Sequence, residues 1–218
     1  MLRRSGVVRK LARPARARRR IRLDNDARRA QLLQLARKAF SDRSYDEVSI
    51  DDLAREARIS KGLLYHYFPT KRDLYVAGLH EIAEELVQRV MSIPTDLPPG
   101  QRVLAGLDAY LDHINKHSRA FVSLMRGGIG SDPQVARVVE SVRERLCARF
   151  LDGSPFAPML SNNPRFQTAL RGWIGFVEGA SIDWCASPRM SRVELRDLLA
   201  QILGAIMSIV APELLQGI

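Results

Sequence analysis

The sequence predicts an all-α protein, with a three-helix unit near the N-terminus followed by a larger helical domain, about nine helices in all. Three observations carry this reading. Ala, Leu and Arg recur throughout the 218 residues while aromatics make up only 6%, a composition that favours helices over strands. Apolar residues return at spacings of three and four, and no stretch of any length alternates with period two. Side chains that cap helices stand where the periodic runs begin. With 46% hydrophobic residues the chain can bury a sizeable core, which excludes wholesale disorder, and two cysteines are too few for a disulfide scaffold.

The elements follow in order. Asp24, Asn25 and Asp26 offer N-caps for a helix to about Ser41, whose Leu32, Leu33, Ala36, Ala39 and Phe40 share one side. Ser44-Tyr45-Asp46 reads as a turn. Ser49 caps a short helix in which Asp51 and Asp52 suit the positive end of the dipole, while Ile50, Leu53, Ala54 and Ala57 face inward. Arg58 and Ile59 leave room only for a tight turn before Ser60 caps a second short helix, Lys61 to Phe68. Pro69 stops it, Thr70 caps again, and a long connecting helix covers 71–91. Three prolines and a glycine between Ile93 and Gly100 mark a joint. Beyond it helices are expected at about 101–116, 118–126, 132–151, 164–187 and 190–210. The expected division is a basic disordered arm over 1–23, the three-helix unit over 24–70 and the larger domain over 71–218.

Charge is distributed unevenly. The net charge is +10, and residues 1–22 hold ten Lys and Arg with no acid, so the rest of the chain is balanced. Such a tail binds polyanions, either nucleic acid or an anionic membrane surface. It lacks the apolar core of a secretory signal; an Arg-rich, acid-free start also fits a mitochondrial presequence. The longest charge-free stretch, Leu198 to Pro212, is too short and too polar to span a bilayer; of the two polyanions nucleic acid is the expected partner, not a membrane. Cys147 and Cys185 have no metal-ligand spacing and read as free thiols of a reducing, cytoplasmic compartment.

Two short helices joined by a tight turn and braced by a third make a helix-turn-helix, in which the second short helix enters the DNA major groove. Leu64 and Phe68, four apart, form the core side of that second helix. Lys61, Gly62, Leu63, Tyr65, His66 and Tyr67 are left for DNA or the helix ends. Gly62 costs roughly 1 kcal/mol against Ala within a helix, and is at home where backbone must lie close to a base or phosphate.

Residues 30–75 resemble the TetR/AcrR family of bacterial transcriptional regulators through Ala36, Phe40, Tyr45, Ser49, Leu53, Ala54, Ala57, Ile59, Ser60, Gly62, Leu64, Tyr65, Phe68, Lys71 and Leu74. The resemblance implies a phosphate contact at Ser49, base-edge contacts at Lys61, Gly62, Leu63 and His66, and phosphate contacts at Tyr65, Tyr67 and Lys71. Ser60 and Arg58 complete the implied DNA-binding set. The family commonly has Gly at the positions of Ser44 and Arg58, so Arg58 is expected either at a strained φ or as a further phosphate contact. A bacterial, cytoplasmic, ligand-responsive repressor without a cofactor, binding an operator in double-stranded DNA, is implied as well.

The family design also implies a homodimer through about residues 164–210 and an effector pocket. Trp173, Val177, Ala180 and Trp184 form one stripe of helix 164–187, and Gly172, Phe176 and Gly179 form another. Gly175 and Gly179 would let a further helix approach closely. Helix 190–210 presents Leu195, Leu198, Leu199, Ile202, Ile206 and Ile209, which suits a four-helix interface between two chains. The expected pocket walls are Tyr110, Ile114, Phe121, Leu124, Met125, Phe150, Trp173 and Phe176, apolar enough for a small lipophilic effector.

Two rival readings exist. His113 and His117, one helical turn apart with Asp108 and Asp112 nearby, are a conceivable metal pair for an enzyme, but no third ligand or general base stands at motif spacing. A non-specific basic DNA-binding protein driven by the arm would leave the helix-turn-helix without a purpose. No enzyme activity is expected.

Overall fold

Local capping decides where the helices begin. In the computed structural model, which describes residues 15–152 and 157–212, Ser49 Oγ accepts from the Asp52 amide and starts α2 (Ile50–Glu56). Ser60 Oγ accepts from the Leu63 amide and starts α3 (Lys61–Tyr67). Thr70 and Asp73 close a reciprocal capping box at the head of α4 (Lys71–Met91). Prolines at the first helical turn begin α5 (Pro99–Lys116), α7 (Pro133–Leu151) and α9 (Pro164–Ala186), where a missing N–H costs nothing. Between them lie α6 (Ser118–Arg126) and the single turn α8 (Ala157–Leu160). A second capping box, Ser191 with Glu194, opens α10 (Arg192–Val210). Every regular element among the described residues is helical, and none is long and apolar enough to cross a membrane.

One boundary and two short elements differ from expectation. Helix α1 spans Ala15–Asp42, so residues 15–23 of the expected disordered arm are helical and Asp24–Asp26 lie inside the helix. No Gly or Pro interrupts Ala15–Asp42, and Ala and Arg are among the strongest helix formers, so nothing stops the helix at the expected caps. Residues 1–14 of that arm lie outside the described residues. The other difference is α8 together with a 3-10 turn at Gly128–Ser131, single turns too short to leave a periodic signature.

Three apolar clusters build the interior. The first joins α1–α4: Leu32, Ala36 and Phe40 meet Leu53, Leu64, Phe68, Leu74 and Tyr75. Phe40 and Tyr45 both pack edge-to-face on Tyr75, with ring centroids 4.9 and 5.1 Å apart. Gly78 makes the α1–α4 crossing possible, because a Cβ there would lie 3.4 Å from the backbone of Ala36 and Arg37. The second cluster joins Leu86 and Val90 of α4 to Leu107, Leu111 and Ile114 of α5, Val177 of α9 and Leu195 and Leu199 of α10. The third gathers Leu160, Phe166, Leu170, Leu203 and Met207. Helix α4 therefore belongs to both the three-helix unit and the larger domain.

Leu195 and Leu199, expected on the dimer seam, are instead core residues, 3% and 0% exposed. Helix α10 is apolar on two sides, and these two occupy the side turned toward α5 and α9.

Charged pairs add to the link between the two regions. Arg72, in the first turn of α4, grips Asp132 with two guanidinium bonds, one of them 2.8 Å, while Asp132 caps α7. The Arg72 bond, helped by the amides of Gln134 and Val135, holds the Asp132 carboxyl at about 2, below its ordinary 3.8. A depressed carboxylate stabilises the fold above its unfolded value and loses that contribution as pH falls toward 2. Asp132→Asn keeps the cap but removes the charge. Urea melts of the two proteins should therefore differ at pH 7 and converge between about pH 4 and pH 2. A gap independent of pH would mean that the charge on Asp132 contributes nothing.

Candidate nucleic-acid interface and ligand cavity

Helix α3 buries one side and offers the other. Leu64 and Phe68 are 1% and 3% exposed, whereas Ser60, Lys61, Gly62, Leu63, Tyr65 and His66 are exposed and Tyr67 is half-buried. Leu63 and Tyr65 are partly open to solvent, 38% and 36% exposed. A Cβ at Gly62 would meet nothing nearer than Ser60 Oγ at 4.0 Å. Nothing within the chain requires glycine there, which fits close approach by something outside it.

The surrounding residues are held in place. Arg58, at the turn between α2 and α3, has φ 54° and is the positive-φ non-glycine residue among those described, so the strain expected at this departure is present. Lys61 Nζ lies 3.0 Å from an Asp51 carboxylate oxygen, and Tyr67 donates to Asn25 Oδ1 at 3.0 Å. Lys71 sits over the Tyr45 ring at 4.5 Å, and Arg29 over Phe68 at 5.3 Å. Ser49 is half-buried, its hydroxyl taken up by the α2 cap.

Behind this unit, α4, α5, α6, α7 and α9 enclose a cavity of about 760 Å³. Seven of the eight expected wall residues line it: Tyr110, Ile114, Phe121, Leu124, Met125, Phe150 and Trp173. Phe176 does not. It is 45% exposed, because Trp173 and Val177 turn into the chain and carry Gly172, Phe176 and Gly179 to the outer side of α9. The outward glycines Gly172, Gly175 and Gly179 have no heavy atom within 4 Å of a Cβ built on them. On α10, Leu198 and Ile209 are exposed, 39% and 68%.

Polar groups interrupt the apolar wall at a few points. Arg143 forms a two-bond pair with Glu178 at 2.7 and 2.8 Å, and both line the cavity. His113 and His117, 3% and 6% exposed, face each other with ring centroids 4.8 Å apart. Burial, reinforced by the neighbouring His117, pulls His113 down to about 4, so it is neutral at pH 7. Glu85 of α4 lies beside them. Burial pushes its carboxyl up, but Arg89, Arg37 and Lys116 outweigh burial and hold it at about 2. No motif spacing points to this third group, 28 residues before His113. Asp108 and Asp112, the expected neighbours, pair with Arg192 instead. Cys147 and Cys185 are free and half-buried.

A helix-turn-helix unit joined through a shared helix to a domain with an apolar cavity defines a one-component DNA-binding regulator. Residues 32–77 match the model for bacterial regulatory proteins of the tetR family, and residues 99–206 match the tetracyclin repressor-like C-terminal domain. A solved tetR-family transcriptional regulator from Streptomyces coelicolor is 34% identical, with 86% of this chain and 83% of that one covered at a TM-score of 0.76. The chain belongs to the TetR family. Among curated relatives, the transcriptional activator FasR of Mycolicibacterium smegmatis is 36% identical over 124 residues, 56% of this chain and 57% of FasR. The regulator EthR of the same organism is 31% identical over 113 residues, 48% of this chain and 49% of EthR. The chain thus spans about half the length of the curated relatives it matches.

Proposed function

We propose that the protein is a ligand-responsive, operator-specific DNA-binding regulator that acts as a homodimer. The observation that carries this is the exposed side of α3, where Lys61, Gly62, Leu63, Tyr65 and His66 stand clear of the core. Lys61 must exchange Asp51 for DNA, but an exposed pair of this kind is worth only about 0–1 kcal/mol, so the exchange is cheap. The dimer face comprises the outward side of α9 and α10, with Gly175, Phe176, Gly179, Leu198 and Ile209. The cavity takes a lipophilic effector, since its few polar points interrupt long apolar walls. The expected sign of regulation is repression, with activation as the second reading because the relative FasR is by its name an activator.

Sequencing the genomic DNA that the purified protein retains should yield one palindromic site; retention of random sequence would sink the reading. At that site Lys61→Ala should lower the preference for cognate DNA by about 1–3 kcal/mol per half-site if Lys61 bonds a guanine. Lys71→Ala should weaken all sequences about equally, because phosphate contacts carry no base information. Equal specificity ratios in both variants and the wild type would overturn this division of roles.

A further inference from the structure

We propose that Glu85, His113 and His117 form a binding site for a divalent transition-metal ion of the zinc, cobalt(II) or iron(II) class. One donor atom from each residue lies within 4.8 Å of the other two. Both histidines line the cavity and are almost fully buried. Nδ1 of His113 and both ring nitrogens of His117 are buried without a hydrogen-bond partner among the described residues. Buried polar atoms are nearly always paired, so three orphaned imidazole nitrogens in one place point to a ligand. Two imidazoles and a carboxylate are the donor set of open zinc and non-haem iron(II) sites. Bonds of about 2.0–2.2 Å in tetrahedral array place donors about 3.3–3.6 Å apart, so side-chain shifts of little more than 1 Å close the site. Positions not filled by the protein would remain for water or a small ligand.

The ion has competitors. Glu85 already accepts from Arg37, Arg89 and Lys116, and a carboxylate has about four acceptor sites, so one is left. A bound dication repels these cations, Arg37 of α1 among them. Removing Arg37 should therefore tighten the site, an effect that a purely structural histidine pair would not show. None of this depends on the DNA-binding reading, and the test reads metal alone.

Untagged full-length protein, stripped with chelator, is titrated with cobalt(II) and zinc(II), following visible cobalt absorption and bound metal after gel filtration. One equivalent per chain is expected. His113→Asn, His117→Asn and Glu85→Gln should each weaken binding by at least the roughly 10–100-fold typical of outer-shell changes. His80→Ala, at an exposed histidine, should leave it unchanged. Arg37→Ala should tighten it several-fold. Circular dichroism identifies any variant that fails to fold. His117→Cys supplies an independent positive signature, since a thiolate on cobalt adds a near-ultraviolet charge-transfer band. The proposal is overturned if the wild type binds less than stoichiometric metal, if the His113 and His117 variants bind as tightly as wild type, or if His117→Cys binds cobalt without the new band.

Discussion

Deletion of residues 1–22 should flatten the salt dependence of DNA affinity by about nine log–log units. The deleted segment carries ten Lys and Arg and no acid. If half of them neutralise phosphates in each chain, a dimer displaces counterions at about ten sites, each contributing a slope of about −0.9. The effect is therefore largest at low salt, where full-length protein should bind far more tightly than the truncated form. Part of this segment is not a loose tail. Residues 15–22 continue α1, the helix whose Leu32, Ala36 and Phe40 support the helix-turn-helix. Charges on a helix already ordered lose less freedom on docking than charges on a flexible chain. The preference for cognate over random DNA should survive the deletion if base edges are read, as proposed, by residues 60–67. Affinities of both proteins over a salt series decide the matter, and identical slopes would show that the basic segment never meets DNA.

The second large effect concerns two adjacent leucines on α10. Leu198→Glu combined with Ile209→Glu places charges on an exposed apolar surface, so the monomer should keep its fold and stability. The dimer should not survive a desolvated charge at its seam. Losing the linkage between two half-site readers should lower operator affinity by about 10²–10⁴. Leu199→Glu behaves differently. Leu199 is fully buried between α5 and α9, and even truncation of such a leucine costs about 2–5 kcal/mol, so an added charge should unfold the domain. Sedimentation and thermal melts separate the two cases. A Leu198→Glu/Ile209→Glu protein that remains dimeric would place the interface elsewhere.

These neighbours show which parts of the structure could be read in advance. Ser49, Ser60 and Thr70 were legible as caps because a cap is satisfied by amides two or three residues away. The inward side of α3 was legible because Leu64 and Phe68 are the apolar pair of a short amphipathic helix. Periodicity fails on α9 and α10, which are apolar on two sides. It finds both stripes but does not say that Trp173 turns inward and Phe176 outward, or that Leu199 is core and Leu198 surface. It fails too for Glu85, which reaches the histidines only because α4 packs along α5. Of the expected pocket walls, those on α5–α7 line the cavity because each of these helices turns an apolar side toward it.

Helix α4 has a mechanical consequence. Its 21 residues span about 32 Å at 1.5 Å per residue, unbroken by Pro. One end, with Leu74, Tyr75 and Leu79, is packed into the DNA-binding unit; the other, with Leu86 and Val90, forms part of the cavity wall. A stiff rod so placed works as a lever. Pivoting it by about 5° at the cavity end swings its far end by roughly 3 Å over that length. In the proposed dimer, two such levers swung in opposite directions would change the distance between recognition helices by up to about 6 Å. The half-sites they must reach are fixed about 34–36 Å apart, or at a multiple of that, by the pitch of DNA. A displacement smaller than one base-pair step at each end is enough to take both helices out of register with the groove.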